Sequence, residues 1–457
     1  MTRLLMIVGL LLTASLAAGA AVPVHEFRLD NGLKVIVRED HRAPVVVSQV
    51  WYKVGASYEH APTTGLSHVL EHMMFKGTEQ VPAGEFSRIV AANGGSENAF
   101  TGGDYTAYYQ QLASDRLEVS FRLEADRMRH LKLGEANFRK ELAVVKEERR
   151  LRTDDQPRSL TFEQFNASAY LASPNRNPVI GWMEDLDGLT LQDVQEWYRR
   201  WYAPDNAILV VVGDVDPQQV LALAKKYYGP LKPEHAARPR STGEPEQRGP
   251  RRITVRAPAK RPYLVLGYKT PVVGQDAEDW EPYALEMLAN VLDGGDSARF
   301  SRELIRGKAL AASAGADYSA YGRLPGMLLL DGTPTTEHDI PTLEAALRGQ
   351  VRRLREQLVG DEELARVRAQ LVAGKVFERD SIFYQAMQIG LLESIGLDWR
   401  LADQNVERLS AVTAEQVRTV ARKYLVEDHL TVAMLDPLPL TEDRAEAPSA
   451  LGGQNVR

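Results

Sequence analysis

The chain has no cysteine among its 457 residues. That absence removes disulfide frameworks, thiol nucleophiles, iron–sulfur clusters and cysteine-based zinc sites together. Any metal must therefore rest on histidine and carboxylates, and histidine is itself scarce, with nine copies. An excess of positive charge is also missing: 55 Lys and Arg stand against 62 Asp and Glu, a formal charge of −7 with a pI near 5.8. No global positive field exists to hold a phosphate backbone, which argues against nucleic-acid binding. Past the N-terminus no apolar run reaches the roughly 18 residues of a membrane span. What remains, 44% hydrophobic and 26% charged residues, is ordinary globular composition for two or three domains.

Arg3 precedes an apolar run over residues 4–12, and small residues follow up to Ala18-Gly19-Ala20, an A-x-A pattern. Residues 1–20 are expected to be a secretory signal peptide, the alternative being a buried N-terminal helix or an uncleaved anchor. Cleavage after Ala20 removes Arg3 and takes the charge from −7 to −8. The expected destination is across the inner membrane, in a bacterial periplasm.

Residues 26–37 read as two strands around Asn31-Gly32, a two-residue hairpin signal. Helical periodicity dominates from Thr64 to about Arg152, and residues 207–217 form a buried strand closed by a turn. Between Gly229 and Pro250 the chain is rich in Pro, Gly and charge and has no apolar period, as an interdomain linker would. The second half has similar grammar. Residues 190–212 overlay residues 413–435 without a gap at a constant offset of 223, pairing Thr190 with Thr413, Trp201 with Tyr424 and Asp205 with Asp428. Helix-strand units are common enough for such a match to arise independently, but the preferred reading is two α+β domains of one duplicated fold. The expected boundaries are 21–230 for the first domain, 231–250 for the linker, 251–440 for the second domain and 441–457 for a flexible tail.

Candidate chemistry lies in residues 62–78, "PTTGLSHVLEHMMFKGT". Thr63 or Thr64 can cap a helix there and Gly77 can end it, while Leu66, Val69, Leu70, Met73 and Met74 form one apolar stripe. His68, Glu71 and His72 fall on the opposite face. Imidazoles at i and i+4 lie within about 6 Å at Cβ, close enough to share a tetrahedral ion, with Glu71 beside them for proton transfer. A solvated surface face is the bland alternative. With so few histidines an accidental H-x-x-E-H is rare, and the pattern inverts the H-E-x-x-H zinc-peptidase signature.

A catalytic zinc takes three protein ligands and leaves one position open. Here the third must be His, Asp or Glu. Residues 137–150 read as a helix with Phe138, Leu142 and Val145 buried and Glu141 and Glu148 on one adjoining face. Glu147 lies about 100° round and reads as a solvated charge. Spacing alone does not single out the ligand.

"HVLEHMMFKGT" resembles the zinc motif of the pitrilysin and mitochondrial processing peptidase family, in which a ligand Glu follows roughly 76 residues after the second His. Glu148 lies 76 residues after His72. The resemblance therefore implies Zn²⁺ on His68, His72 and Glu148, with Glu71 as general base and Glu141 supporting a ligand imidazole. It continues through "NGGSENAFTGGDYTAYY", residues 93–109, and spans essentially the whole mature chain. In the family this segment is an edge strand onto which the substrate backbone adds, which implies that Asn98, Ala99, Phe100 and Thr101 bind substrate. Without the resemblance its glycines would read as turn punctuation. The implied fold is two homologous domains, each a mostly antiparallel sheet covered by helices, forming half of a clamshell.

One departure stands out. Active family members carry an Arg and a Tyr seven residues apart that reach the substrate across the chamber; anchoring on Leu310-Ala311 puts Ile305 and Ala312 at those positions, with Arg306 one residue off. The expectation is a zinc endopeptidase for peptides or unfolded segments, working as a heterodimer with a homologous subunit that supplies Arg and Tyr, or else as a homodimer. An assembly subunit with little activity and a metal-storage module are the competing classes.

Overall fold

The computed structural model describes residues 23–237, 243–275 and 277–440. The signal-peptide and tail expectations, at 1–20 and 441–457, lie outside the described residues.

The first half runs β1 (Val24–Arg28), β2 (Lys34–Glu39), β3 (Val45–Tyr52), α1 (Leu66–Met73), α2 (Glu85–Ala92), β4 (Ser96–Thr101) and β5 (Thr106–Ala113). It continues with α3 (Leu117–His130), α4 (Glu135–Arg149), α5 (Pro157–Ala169), α6 (Met183–Gly188), α7 (Leu191–Trp201), β6 (Ala207–Gly213) and α8 (Pro217–Tyr227). The second half runs β7 (Arg251–Pro258), β8 (Tyr263–Thr270), α9 (Glu281–Asp293), β9 (Ala311–Asp317), β10 (Gly326–Pro334) and α10 (Ile340–Glu356). It ends with α11 (Asp361–Glu378), α12 (Ile382–Ser394), α13 (Leu401–Ser410), α14 (Ala414–Tyr424) and β11 (Leu430–Leu438).

Two sheets result, in the orders β1-β2-β6-β3-β5-β4 and β7-β11-β8-β10-β9. Each is antiparallel apart from one parallel pair, β2 with β6 and β7 with β11. The fold is α+β, two helix-covered sheets of matching topology. The 223-residue offset holds in space: α7 and α14 share their ends under it, β6 and β11 share their start, and both helices open with a capping box, at Thr190 and Thr413.

The halves exchange a helix. On one face of the first sheet, Trp51, Ile208, Val210 and Val212 pack against Ala386 and Ile389 of α12, which belongs to the second half by sequence. On the second sheet, Val265, Ala433 and Leu435 pack against Phe165 and Ala169 of α5, from the first half. Fully burying one such large apolar side chain contributes about 2 kcal/mol, so each sheet depends on the other half for its cover. The contacts are size-inverted. Trp51 pairs with Ile208 and faces Gly390, whereas Gly267 pairs with Thr431, the residue 223 after Ile208, and faces Phe165.

Two local expectations are corrected. The turn after β1 is a three-residue loop, closed by Leu29 N–H to the Leu33 carbonyl at 2.9 Å with Gly32 left-handed at φ 92°. Asn31 is drawn out of the two-residue pattern because its amide donates to the carbonyls of Tyr228 at 2.7 Å and Leu231 at 3.0 Å. The helical run from Thr64 to Arg152 is broken by β4 and β5. Gly94 turns left-handed after α2 at φ 72° and so resets the chain to extended backbone. The segment expected as a linker holds no helix or strand among its described residues, yet Glu244 ties it down, accepting from the N–H groups of Leu171, Ala172 and Ser173 and from Lys269.

Candidate metal centre and its cavity

Helix α1 starts at Gly65, left-handed at φ 87°, where a β-carbon would lie 2.6 Å from the Ile180 carbonyl oxygen. Neither Thr63 nor Thr64 caps it. Thr64 Oγ1 instead donates to Asp185 and accepts from Trp182 N–H at 3.0 Å. The first-turn donors are satisfied by Glu59, which takes Gly65 N–H at 2.7 Å and Ser67 N–H at 2.6 Å. Its side chain is deeply enclosed, at 4% exposure, and burial pushes its carboxyl up to about 7 despite those two hydrogen bonds. No local pattern flags Glu59, because it precedes the helix by a whole loop.

The stripe Leu66, Val69, Leu70, Met73 and Met74 is buried, so His68, Glu71 and His72 turn to the other side. Helix α4 buries Phe138, Leu142 and Val145 and presents Glu141 and Glu148 to α1. Glu148 Oε2 lies 3.7 Å from His68 Nε2 and 3.4 Å from His72 Nε2. Among the described residues this trio is the one group of three or more such side chains, its ligand atoms all within 4.8 Å of one another. A tetrahedral ion with bonds of about 2.0–2.1 Å spaces its ligands about 3.4 Å apart, so the donor set fits Zn²⁺. His68 Nδ1 is buried without a hydrogen-bond partner. Burial, with the neighbouring His72, pushes the His68 imidazole down to about 4, leaving it in the neutral form that a metal requires.

Glu141 stands behind His72, 3.5 Å from its Nδ1, and pairs with Lys76 at 2.7 Å. Glu147 points elsewhere, into an exposed pair with Arg150. A π-helical turn, Arg150–Asp154, follows α4 and brings Arg152 to 2.7 Å from Glu148 Oε1, a contact the i, i+4 spacing already offered. Burial raises the Glu71 carboxyl above its ordinary value, opposed by the Thr101 hydroxyl that donates to it.

Strand β4 is the outermost of its sheet. Asn98, Ala99, Phe100 and Thr101 line a cavity of about 1200 Å³ that also takes in the trio, Glu71, and Tyr263, Met327 and Leu329 of the second sheet. Asn98 is exposed and accepts from Ala99 N–H, Ala99 packs on the first core, and Phe100 meets Trp51 edge-on at 5.4 Å. The loop after β4 is latched across the halves. Arg323 donates to Asp104 at 2.9 Å and to Ser57 Oγ at 2.6 Å.

In the second half Ile305 packs against the second core and Ala312 is exposed on β9. Arg306 is engaged by the Asp296 carbonyl.

Residues 34–181 match the family described as Insulinase (Peptidase family M16), and residues 188–371 match its Peptidase M16 inactive domain. Over 308 residues the chain is 37% identical to the zinc protease PqqE of Helicobacter pylori, covering 66% of this chain and 68% of that one. The chain belongs to the pitrilysin family, M16. The M16 architecture extends to solved structures: a protease from Helicobacter pylori superposes with a TM-score of 0.87 at 29% identity, over 91% of this chain and 100% of that one. The fold also matches the periplasmic protease PqqL of Escherichia coli, with a TM-score of 0.74 at 17% identity, over 95% of this chain and 52% of that longer one. The Helicobacter pylori relative is named a zinc protease, and the stretch matching the inactive domain, residues 188–371, contains no metal trio among its described residues. No helix among the described residues is long and apolar enough to cross a membrane.

Proposed function

We propose that this M16 chain is a zinc endopeptidase subunit cleaving peptides or unfolded segments, with His68, His72 and Glu148 as ligands and Glu71 as general base. The observation that carries this reading is the convergence of three donor atoms within 4.8 Å beside Glu71, at a cavity bordered by the outermost strand β4. Zinc bound there supplies a Lewis acid that acidifies water and polarises a peptide carbonyl. Glu71, held by the Thr101 hydroxyl, takes the proton from water and returns it to the leaving amine. Glu141 orients His72 through Nδ1. The free edge of β4 aligns substrate by backbone pairing, reading extended conformation more than side-chain identity.

The chain is read as half of a clamshell, domains 21–230 and 251–440 joined by the 231–250 segment, exported by its 1–20 signal peptide to the periplasm. Its fold spans 52% of PqqL, as a half-chamber would. With Ile305 and Ala312 in place of Arg and Tyr, a homodimer lacks two contacts to substrate, a loss of about 3 kcal/mol or over a hundredfold in rate. The active form is therefore a heterodimer with a homologous subunit that supplies the pair. Metal content and hydrolysis of a quenched unstructured peptide are measured for the chain alone and for the co-expressed pair. Zinc in both, with turnover only in the pair, is expected. Equal turnover removes the partner, and no zinc in either removes the peptidase.

A further inference from the structure

We propose that the cavity wall selects peptides carrying acidic side chains close to the cleaved bond, with Arg158 and Arg176 as the groups that meet them. The inference rests on the peptidase reading and adds the substrate class.

Three carboxylates and three guanidinium groups line the cavity: Glu71, Glu148, Glu163, Arg152, Arg158 and Arg176. The carboxylates are all engaged. Glu163 is buried and takes a two-pronged pair from Arg149, at 2.7 and 3.0 Å. Glu71 and Glu148 belong to the metal site, where a divalent cation offsets their charge. The guanidinium groups are not matched in the same way. Arg152 leans on Glu148 with 77% of its side chain exposed. Arg158 and Arg176 make no ion pair among the described residues. Their anchors are neutral: Arg158 donates to Thr333 Oγ1 at 2.8 Å and lies 5.1 Å over the Tyr263 ring, and Arg176 donates to the Leu171 carbonyl at 3.0 Å. Asp331, which is hydrogen-bonded to the Tyr263 phenol, is an acidic neighbour of Arg158 but forms no direct ion pair with it.

Neutral anchors fix a guanidinium in place without cancelling its charge. With the metal bound, the wall is left basic although the chain as a whole is acidic at −7. A peptide in the cavity has β4 on one side and α5, carrying Arg158 and Phe162, on the other. Charges facing each other across such a partly enclosed space attract more strongly than at an open surface.

The test uses two fluorescein-labelled unstructured peptides, identical except that one carries three Glu and the other three Lys. Binding is read by anisotropy on the full-length zinc-loaded Glu71→Gln protein, which needs no turnover, and cleavage is read separately on the wild-type pair of subunits. The Glu peptide is expected to bind about tenfold more tightly, by an amount that shrinks with added salt. Arg158→Lys keeps the preference, Arg158→Ala and Arg176→Ala each lower it severalfold, and the Arg158→Glu/Arg176→Glu double variant reverses it. Equal binding, a preference for Lys, or a preference unchanged in the double variant overturns the proposal. Charge-selective binding with no cleavage by the pair overturns the peptidase reading and leaves the wall's selectivity standing.

Discussion

Trp51 lies so close over Gly390 that a β-carbon there would sit 2.1 Å from the indole. Trp51 is fully buried on an inner strand, where a rigid bicyclic ring has little room to yield. Gly390→Ala is expected to lower stability by about 1–3 kcal/mol, read from the midpoint of urea unfolding. Combining it with Trp51→Leu should cost less than the sum of the two single changes. Strict additivity would mean that the two residues do not share one space. At the mirrored site, Gly267→Ala meets the ends of side chains, Phe165 Cζ at 2.5 Å, Met327 Sδ at 3.0 Å and Leu329 Cδ2 at 3.1 Å, and is expected to cost less.

The metal-binding and proton-transfer roles proposed for α1 should be separable. Glu71→Gln should retain near-stoichiometric zinc while losing several orders of magnitude in peptide hydrolysis, whereas His72→Ala should lose both. A Glu71→Gln protein that still cleaves at near wild-type rate would remove Glu71 from its assigned role.

The three carboxylates of α4 should behave differently in a zinc-chelator competition. Glu148→Gln releases most of the metal, Glu141→Gln weakens affinity by roughly 10–100-fold through His72, and Glu147→Gln, already in an exposed pair with Arg150, changes nothing. Loss of zinc from the Glu147 variant alone would mean that the 76-residue spacing selects the wrong side chain.

Glu59 gives stability a dependence on pH. Its carboxyl is pushed from the ordinary 4.5 up to about 7, so between those values the folded chain holds a proton that the unfolded chain has released. The stability linked to this group is complete below about pH 4.5 and is lost as pH rises through 7, to a total of about 3 kcal/mol. Urea unfolding of the metal-free protein from pH 4.5 to 7.5 should show this decline, and Glu59→Gln should flatten it. Parallel slopes in the two proteins would rule Glu59 out as their source.

What was legible in the sequence was local or periodic. The α1 stripe and its polar face follow from the 3.6-residue period, and the matched α7–β6 and α14–β11 units follow from repeated caps and strands at a fixed offset. Side chains that act across the fold left no such trace. Glu59 caps a helix beyond a loop, Arg323 reaches Asp104 from 219 residues away, and the amide of Asn31 reshapes its own turn by binding Leu231. The helix exchange was hidden for a different reason: apolar spacing on α5 and α12 says that a face is buried, not which sheet buries it. Spacing alone left the third ligand open because Glu141 and Glu148 share a face; in space Glu148 lies near both imidazoles, whereas Glu141 lies near His72 Nδ1.

An outermost strand with unpaired amides is a hazard in most proteins, since it invites edge-to-edge association between copies and, eventually, fibrils. Proteins usually blunt such edges with charge, proline or a bulge. In β4 the one charge, Glu97, accepts from Ser87 Oγ; Asn98, Ala99 and Phe100 carry none of these devices, and α5 and the second sheet border the same space. The enclosure proposed to admit substrate thus also hinders pairing between the β4 edges of two copies.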